Sequence, residues 1–312
     1  MKVFVLAPRE NWIVDRLANE WQQNNQDIDC SNPADADVIW LLAGWCWRHI
    51  HPNILAQKKV ICTIHHVVPE KFTDSKIADF MQRDTFVDAY HVPNKFTYEF
   101  VRSLTKKDIF LIPYWCNDKL WYPLDKNTCS KNACRSNLKI AHDTFVVGSF
   151  QRDTEGGSLK PKLEKGPDIF CDFVERASKT RQIDVLLGGW RRGYVTHRLE
   201  NAGINYKLFE LSPEPVLRMM YSACDLYVVS SRFEGGPQAI LECAAMHVPI
   251  ISNDVGIAKS VLHEMCIVDV SQSDVIQISQ TALDYNFKAA SELFIKTHRH
   301  QYREMMRKTN AQ

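Results

Sequence analysis

SSRFEGGPQAILECAAMHVPIISNDVG, residues 230–256, follows directly on an apolar run at 226–229, and together they read as strand, loop, helix and strand. The run ends in Ser230 and Ser231, and the loop then presents Glu234. Gly235 and Gly236 let another molecule approach the backbone closely, and Pro237 suits the first turn of a helix. The first N–H groups of that helix, at Gln238 and Ala239, have no partner within it. They point outward with the positive end of the helix dipole, a seat for a diphosphate. Glu242 lies on the same helix, eight positions after Glu234. The two carboxylates are therefore expected at different depths beside one anion site, as acceptors for paired sugar hydroxyls.

Working outward, the pattern continues on both sides. Strands are predicted at 145–150, 184–188, 205–209, 226–229, 249–252 and 266–270, and helices at 168–178, 213–223 and 237–246. This is a doubly wound α/β domain. Upstream, short apolar runs at 2–7, 38–42, 60–64, 89–92 and 109–112 predict a second parallel sheet. The first run leads into a helix carried by Trp12, Ile13, Leu17, Ala18 and Trp21. Residues 113–137, rich in Pro, Asn and Asp, read as a linker, with the boundary near Ala141. The expected division is 1–140, 141–285 and a terminal helical segment, 286–312. In that segment Leu293, Phe294, Tyr302, Met305 and Met306 give an interrupted apolar face. Two Rossmann-like domains in series place a cleft between them, and ligands bind where strand C-termini and helix N-termini face it. Dehydrogenases share that layout, but the first β-α turn has no GxGxxG.

Composition narrows the partners. A chain of 312 residues is too long for one ordinary core and fits two domains. Lys and Arg number 38 against 37 Asp and Glu, so no global field draws the chain to nucleic acid. Any phosphate must be caught by a local site. The ten cysteines are scattered, and the closest pair, Cys129 and Cys134, lacks a CxxC spacing. They read as reduced, buried thiols of a cytoplasmic protein. The opening MKVFVLAPRENW is too short an apolar run for a signal peptide, and no stretch is long enough for a membrane span. The reading is of a soluble protein, with peripheral membrane contact left open.

S-x-x-E-G-G-P-x-A-I-L-E, residues 231–242, resembles the E-x7-E motif of glycosyltransferase family four, the group 1 glycosyltransferases. The resemblance implies a GT-B fold, two Rossmann-like doubly wound domains facing a central cleft, with the last helix crossing back to the N-terminal domain. It also implies that Glu234 contacts hydroxyls of the donor sugar and Glu242 those of the ribose. VVGSFQRDTEGGSLKPKLEKGPDIF, residues 146–170, is similar to the family's first C-domain strand and loop, which implies Arg152 and Lys165 as clamps on the pyrophosphate. A cation at each phosphate offsets the charge building on a departing diphosphate. In the same resemblance Leu208, Phe209 and Leu211 are neighbours of the base, and Gly188 and Gly189 suit close backbone approach. The N-terminal half matches less closely. VICTIHHVVPEK, residues 60–71, stands where the family has T-x-H-D, which implies His65 as a contact to the sugar or its phosphate, with His66 replacing the Asp. LIPYWCNDKLWYPL, residues 111–124, resembles the I-P-N-G-V-D linker with Tyr114, Trp115 and Cys116 substituted. In the first β-α turn Arg9, Glu10 and Asn11 replace a Gly-Gly loop, and either line an acceptor pocket or cap the helix.

The plainer alternatives are an exposed helix with two solvated glutamates, a solvated basic loop, and ordinary core residues at 208–211. What the resemblance implies is a retaining hexosyltransferase-type enzyme. Its donor is a UDP-, GDP- or ADP-sugar and its acceptor a carbohydrate, lipid or small molecule. No carboxylate stands out as a covalent nucleophile, so the family's front-face attack is the expected route. No cofactor and no metal are expected, since no Asp-x-Asp ends a strand and the basic groups can neutralise the leaving group. The alternative is a nucleotide-sugar-binding protein without turnover.

Overall fold

Most of the apolar runs become strands, because each is short, rich in β-branched or aromatic residues, and bounded by residues that break it. A computed structural model describes residues 1–124 and 130–312, so Cys129 lies outside the described residues. The chain forms two compact units, Met1–Trp115 with Ile295–Gln312, and Cys116–Phe294.

The first unit runs β1 (Val3–Leu6), α1 (Ile13–Asn24), β2 (Val38–Leu41), α2 (Pro52–Leu55), β3 (Lys59–Thr63), α3 (Asp74–Asp84), β4 (Ala89–Val92), α4 (Lys95–Arg102) and β5 (Asp108–Leu111). Its five strands pair in parallel in the order β1-β2-β3-β4-β5. β2 and β4 are buried along their whole length, as a sheet covered on both faces requires. The last helix of the chain, Ile295–Asn310, belongs to this unit. Tyr302 on it packs against Trp40 and Trp115, with ring centroids 5.6 and 5.0 Å away, and its hydroxyl donates to the Pro113 carbonyl at 3.0 Å. The buried indole of Trp115 in turn donates to Glu20 Oε2 on α1 at 2.8 Å.

The second unit runs α5 (Lys131–Asn137), β6 (Phe145–Phe150), α6 (Pro167–Ala177), β7 (Ile183–Gly188), α7 (Gly193–Asn201), β8 (Tyr206–Phe209), α8 (Glu214–Ala223), β9 (Leu226–Val229), α9 (Gln238–Ala245), β10 (Ile250–Ser252), α10 (Ala258–Val261) and α11 (Gln280–Glu292). The strands are again parallel, in the order β10-β9-β6-β7-β8. The chain builds outward from β6 to β8 and then returns to the other side of β6. The order therefore reverses between β6 and β9, and in open α/β sheets ligands bind beyond the strand C-termini at such a reversal.

Four details differ from the sequence reading. The division falls after Trp115, where a boundary near Ala141 was expected. The polar helix α5 is tied into the second unit by Arg135, buried and donating to the carbonyls of Ala223 at 3.1 Å and Thr144 at 3.2 Å. Residues 266–270 form no strand, because only Ile267 bridges to Ser252. The helix Gly193–Asn201 was not foreseen. The terminal apolar face is interrupted at Leu293, whose carbonyl accepts from Cys116 N at 2.9 Å, so Leu293 and Phe294 belong to the second unit. All nine described cysteines are buried. Among the described residues no helix is long and apolar enough to cross a membrane.

The loops at the C-terminal edge of β6 and β7 are fastened by a buried ion pair. Arg192 Nε meets Asp153 Oδ2 at 2.7 Å, both side chains wholly buried, and the guanidinium also donates to the Gly188 carbonyl at 2.8 Å. Removing one partner strands the other charge in the interior, at a cost of about 3–5 kcal/mol. Asp153→Ala should therefore lower the stability of the protein by about that amount in denaturant unfolding. A loss below about 1 kcal/mol would show that the guanidinium finds another partner.

Candidate functional site

At the β6/β9 reversal two loops are locked together. The loop before α6 turns through Gly166 at φ +60°, a left-handed conformation that suits glycine. A Cβ there would lie 1.9 Å from the Ser230 carbonyl oxygen, so no other residue allows this approach. On its near side the Glu164 carbonyl accepts from Arg232 N at 2.9 Å and Phe233 N at 3.1 Å. Arg232 closes the outer flank through two bonds to the Asp168 carboxylate, 2.8 and 2.6 Å. Asn253 closes the inner one, its Nδ2 donating to the carbonyls of Ser230 and Ser231 at 2.9 and 3.2 Å.

These restraints bring two sequence-predicted residues into contact. Lys165 Nζ donates to Glu234 Oε1 at 2.6 Å, and the two side chains are only 18% and 13% exposed. Ser231 Oγ adds a bond to the same carboxylate oxygen at 3.1 Å. Gln151, at the end of β6, supports the pair from below, with Nε2 on the Lys165 carbonyl at 2.9 Å. Gln151, Ser231 and Asn253 were not singled out in the sequence, where nothing separates them from ordinary polar loop residues. Arg152, next to Gln151, is part-buried and has no ion pair or hydrogen bond among the described residues.

After Glu234, Gly235 is buried and Gly236 half-buried, and α9 begins at Gln238. Gly256, at φ +57°, lies against this turn, since a Cβ on it would meet the Gly235 carbonyl oxygen at 2.7 Å. Ala239 and Gln238 form the first turn of α9 as expected. Gln238 Nε2 is buried with no acceptor among the described residues, an orphaned donor beside the free helix N–H groups.

Glu242 is not at an open anion site. It is 2% exposed, because α9 is buried from Ile240 onward, and its Oε2 accepts from the Tyr221 hydroxyl at 2.5 Å. Burial, reinforced by the Glu242 charge, pushes the Tyr221 hydroxyl well above its ordinary range and keeps it a donor. The picture of two solvated glutamates on an exposed helix thus fails for both residues. Gly188 also departs from expectation. A Cβ there would meet the Phe150 ring and Met220 at 3.0 Å, so this glycine makes room for packing between β6, β7 and α8. Residues 208–211 are not core. Leu208 is 37% and Leu211 65% exposed, with Phe209 half-buried between them on edge strand β8.

In the first unit, His65 lies just past β3. Its Nδ1 is hydrogen-bonded to the Tyr114 hydroxyl, and the ring of Trp45 lies 6.0 Å away. Burial pushes the His65 imidazole down to about 3, and the charges of His66 and His91 add to that. The first β-α turn is filled from within. Asp15 accepts from the backbone N–H groups of Arg9 at 2.8 Å, Glu10 at 2.7 Å and Trp12 at 3.3 Å, with Arg9 and Asn11 both left-handed. A carboxylate of the chain occupies the turn where a Gly-Gly loop would present free donors, and Asp15, not Asn11, is the capping residue.

Comparison with known proteins places this geometry. Residues 156–284 match the family described as Glycosyl transferases group 1. The α-galactosylglucosyldiacylglycerol synthase of Streptococcus pneumoniae is 28% identical over 152 residues, 46% of this chain and 37% of that protein. Glycogen synthase 2 of Geobacter metallireducens is 27% identical over 129 residues, 40% of this chain and 25% of that protein. The chain thus spans well under half the length of these curated relatives. Among solved structures, HepE of Anabaena, in complex with UDP and glucose, superimposes with a TM-score of 0.76 over 98% of this chain and 99% of its own, at 13% identity. Sucrose-phosphate synthase of Thermosynechococcus elongatus gives 0.68 over 98% and 81%, at 17% identity. The two five-stranded parallel sheets are those of the GT-B fold.

The first unit yields a pH test. His65 and His91, the latter pushed down by burial to about 4, both stay neutral in the fold at pH values where a free imidazole, near 6.5, takes a proton. Below pH 6.5 the unfolded chain binds protons that the folded one refuses, so stability falls with pH down to about 3 and 4 respectively. In unfolding experiments between pH 7 and 4, His65→Gln should lose stability less steeply than wild type. An equal slope would contradict a neutral, buried His65.

Proposed function

We propose, from the match of residues 156–284 to the group 1 glycosyl transferases, that the protein is a retaining glycosyltransferase using a nucleoside-diphosphate sugar. The observation that carries this reading is the Lys165–Glu234 pair at the β6/β9 reversal, part-buried and 2.6 Å apart. Two charges withdrawn from water on opposing loops cost more than a pair of apolar residues would, so their retention fits a ligand with complementary ends. A diphosphate takes Lys165, and the hydroxyls of the sugar take Glu234. Arg152, the first turn of α9 and the orphaned Gln238 amide supply further donors to the phosphates.

In this reading the C–O bond to the diphosphate breaks, and charge accumulates on the departing oxygens. Lys165, Arg152 and the α9 N-terminus are fixed before the reaction and stabilise that charge without a metal. Glu234 faces the sugar as positive charge develops at the anomeric carbon. The acceptor hydroxyl attacks from the same face and its proton passes to the leaving phosphate, which gives retention. Glu242 is assigned the ribose. The Tyr221 hydroxyl, donating to Oε2, holds this carboxylate in place. His65, neutral at physiological pH, serves as a hydrogen-bonding group toward the sugar or its phosphate. Leu211 and Phe209 lie toward the base. The buried, reduced thiols fit a cytoplasmic setting.

A second reading, nucleotide-sugar binding without turnover, is favoured by one feature. The Asp15 carboxylate takes up the N–H groups of Arg9, Glu10 and Trp12, so these donors of the first turn are spent within the chain. A panel of UDP-, GDP- and ADP-sugars separates the two. The enzyme reading expects release of the nucleoside diphosphate from one of them, by transfer or by slow hydrolysis. Binding with no release from any of them supports the second reading. Within the enzyme reading, a contact that strengthens in the transition state acts on kcat, and one that is uniform acts on KM. Glu234→Gln should reduce kcat roughly a hundredfold. Glu242→Gln should mainly raise the donor KM. Equal rises in KM with kcat intact for both variants would remove Glu234 from the sugar.

A further inference from the structure

Five of the eight tryptophans are buried, and Trp12, Trp45 and Trp190 are exposed. In the second unit Trp121 is enclosed, whereas Trp190, on the loop leaving β7, is 42% exposed. Its backbone surroundings are nonetheless rigid. On one side Gly189 sits at φ +96°, donating to the Phe209 carbonyl at 3.3 Å, and its missing Cβ leaves room for the Gln151 carbonyl. On the other, Arg191 is left-handed at φ +61°, and its carbonyl accepts from Asp153 N at 3.2 Å and Thr154 Oγ1 at 3.1 Å. The buried Arg192–Asp153 pair follows directly. Non-glycine residues hold a left-handed conformation only where the surroundings enforce it, and such strain gathers where ligands bind. Here it turns the Arg191 guanidinium back over the indole, 3.9 Å from the ring centroid.

The neighbourhood is apolar, exposed and strained in the same way. β8 pairs with β7 through Gly188 and Phe209, and just beyond it Leu211 is left-handed and largely in water, with Leu208 on the same strand also exposed. None of this contributes to the core. The corner is continuous with the anion site, because Gln151, which touches Gly189, also holds the Lys165 carbonyl through Nε2. A flat apolar surface beside a diphosphate site matches one kind of molecule, a heteroaromatic ring joined to a diphosphate.

We infer that Trp190 is the platform on which the nucleobase of the donor stacks, with Arg191 bracing the indole. This rests on the donor reading above and adds to it the residue that binds the base and the manner of binding. Stacking on an indole accepts any base, since each has a π face. The platform therefore sets affinity for nucleotides as a class, and discrimination among bases falls to the edges of the ring.

Calorimetric titration of UDP, GDP, ADP and inorganic pyrophosphate into wild type, Trp190→Ala and Trp190→Phe tests this. Trp190→Ala should weaken every nucleotide that wild type binds by about ten- to a hundredfold and leave pyrophosphate unchanged. Trp190→Phe should recover most of the loss. Nucleotide affinity unchanged in Trp190→Ala, or nucleotide and pyrophosphate weakened alike, would overturn the inference while leaving the donor reading standing. A wild-type protein that binds none of the three nucleotides would overturn both.

Discussion

The candidate site depends on one close approach, that of Gly166 to the end of β9. With a Cβ there 1.9 Å from the Ser230 carbonyl oxygen, any side chain would drive the two loops apart. Lys165 precedes this glycine and Glu234 lies four residues beyond Ser230, so their contact follows from the backbone contact. The backbone bonds from Arg232 and Phe233 to Glu164, and those from Asn253 to Ser230 and Ser231, leave the loops little freedom. The backbone that carries the pair is fixed in this way, so only the two side chains have to part for a ligand to reach them. Salt screens such a part-buried pair less than it screens surface pairs.

The two units spend their polar groups differently. In the second, donors at the strand ends are left available, as at Gln238 and Arg152. In the first, the corresponding groups are used internally. Asp15 takes three backbone N–H groups, and His91 is held between Thr63 and the Ile112 carbonyl at 3.0 and 2.9 Å. The first unit also keeps the last helix through Tyr302 and His298, both bonded to the Pro113 carbonyl. Its strand order runs without reversal, so the sheet has no switch point of its own.

Strands were legible where a short apolar run meets clear punctuation. Ala89–Val92 and Leu226–Val229 have the bounds that their flanking Asp, Pro and Ser residues suggest. Segment 266–270 has similar composition but pairs at one residue, which composition cannot reveal. Helix Gly193–Asn201 was hidden because GYVTHRLEN is mostly polar and begins with glycine, and only Val195 and Leu199 bury. Glu234 and Lys165 were legible through the loop and helix chemistry around them. The burial of Glu242 was not, since it comes from Tyr221 on another helix. Trp190 carried no signal, because a single tryptophan in sequence reads as core and only its exposure and strained neighbours mark it out.

On the proposed function, Lys165 and Glu234 neutralise each other until a donor separates them, the phosphate taking one and the sugar the other. Binding of a free nucleoside diphosphate, which lacks the sugar, isolates the two roles, and it can be titrated calorimetrically into wild type, Lys165→Ala and Glu234→Gln. Lys165→Ala should bind about tenfold or more weakly, from loss of a charge-assisted bond. Glu234→Gln should bind as tightly as wild type or more so, because its lysine is released. Equal weakening in the two variants, or full affinity in Lys165→Ala, would contradict it.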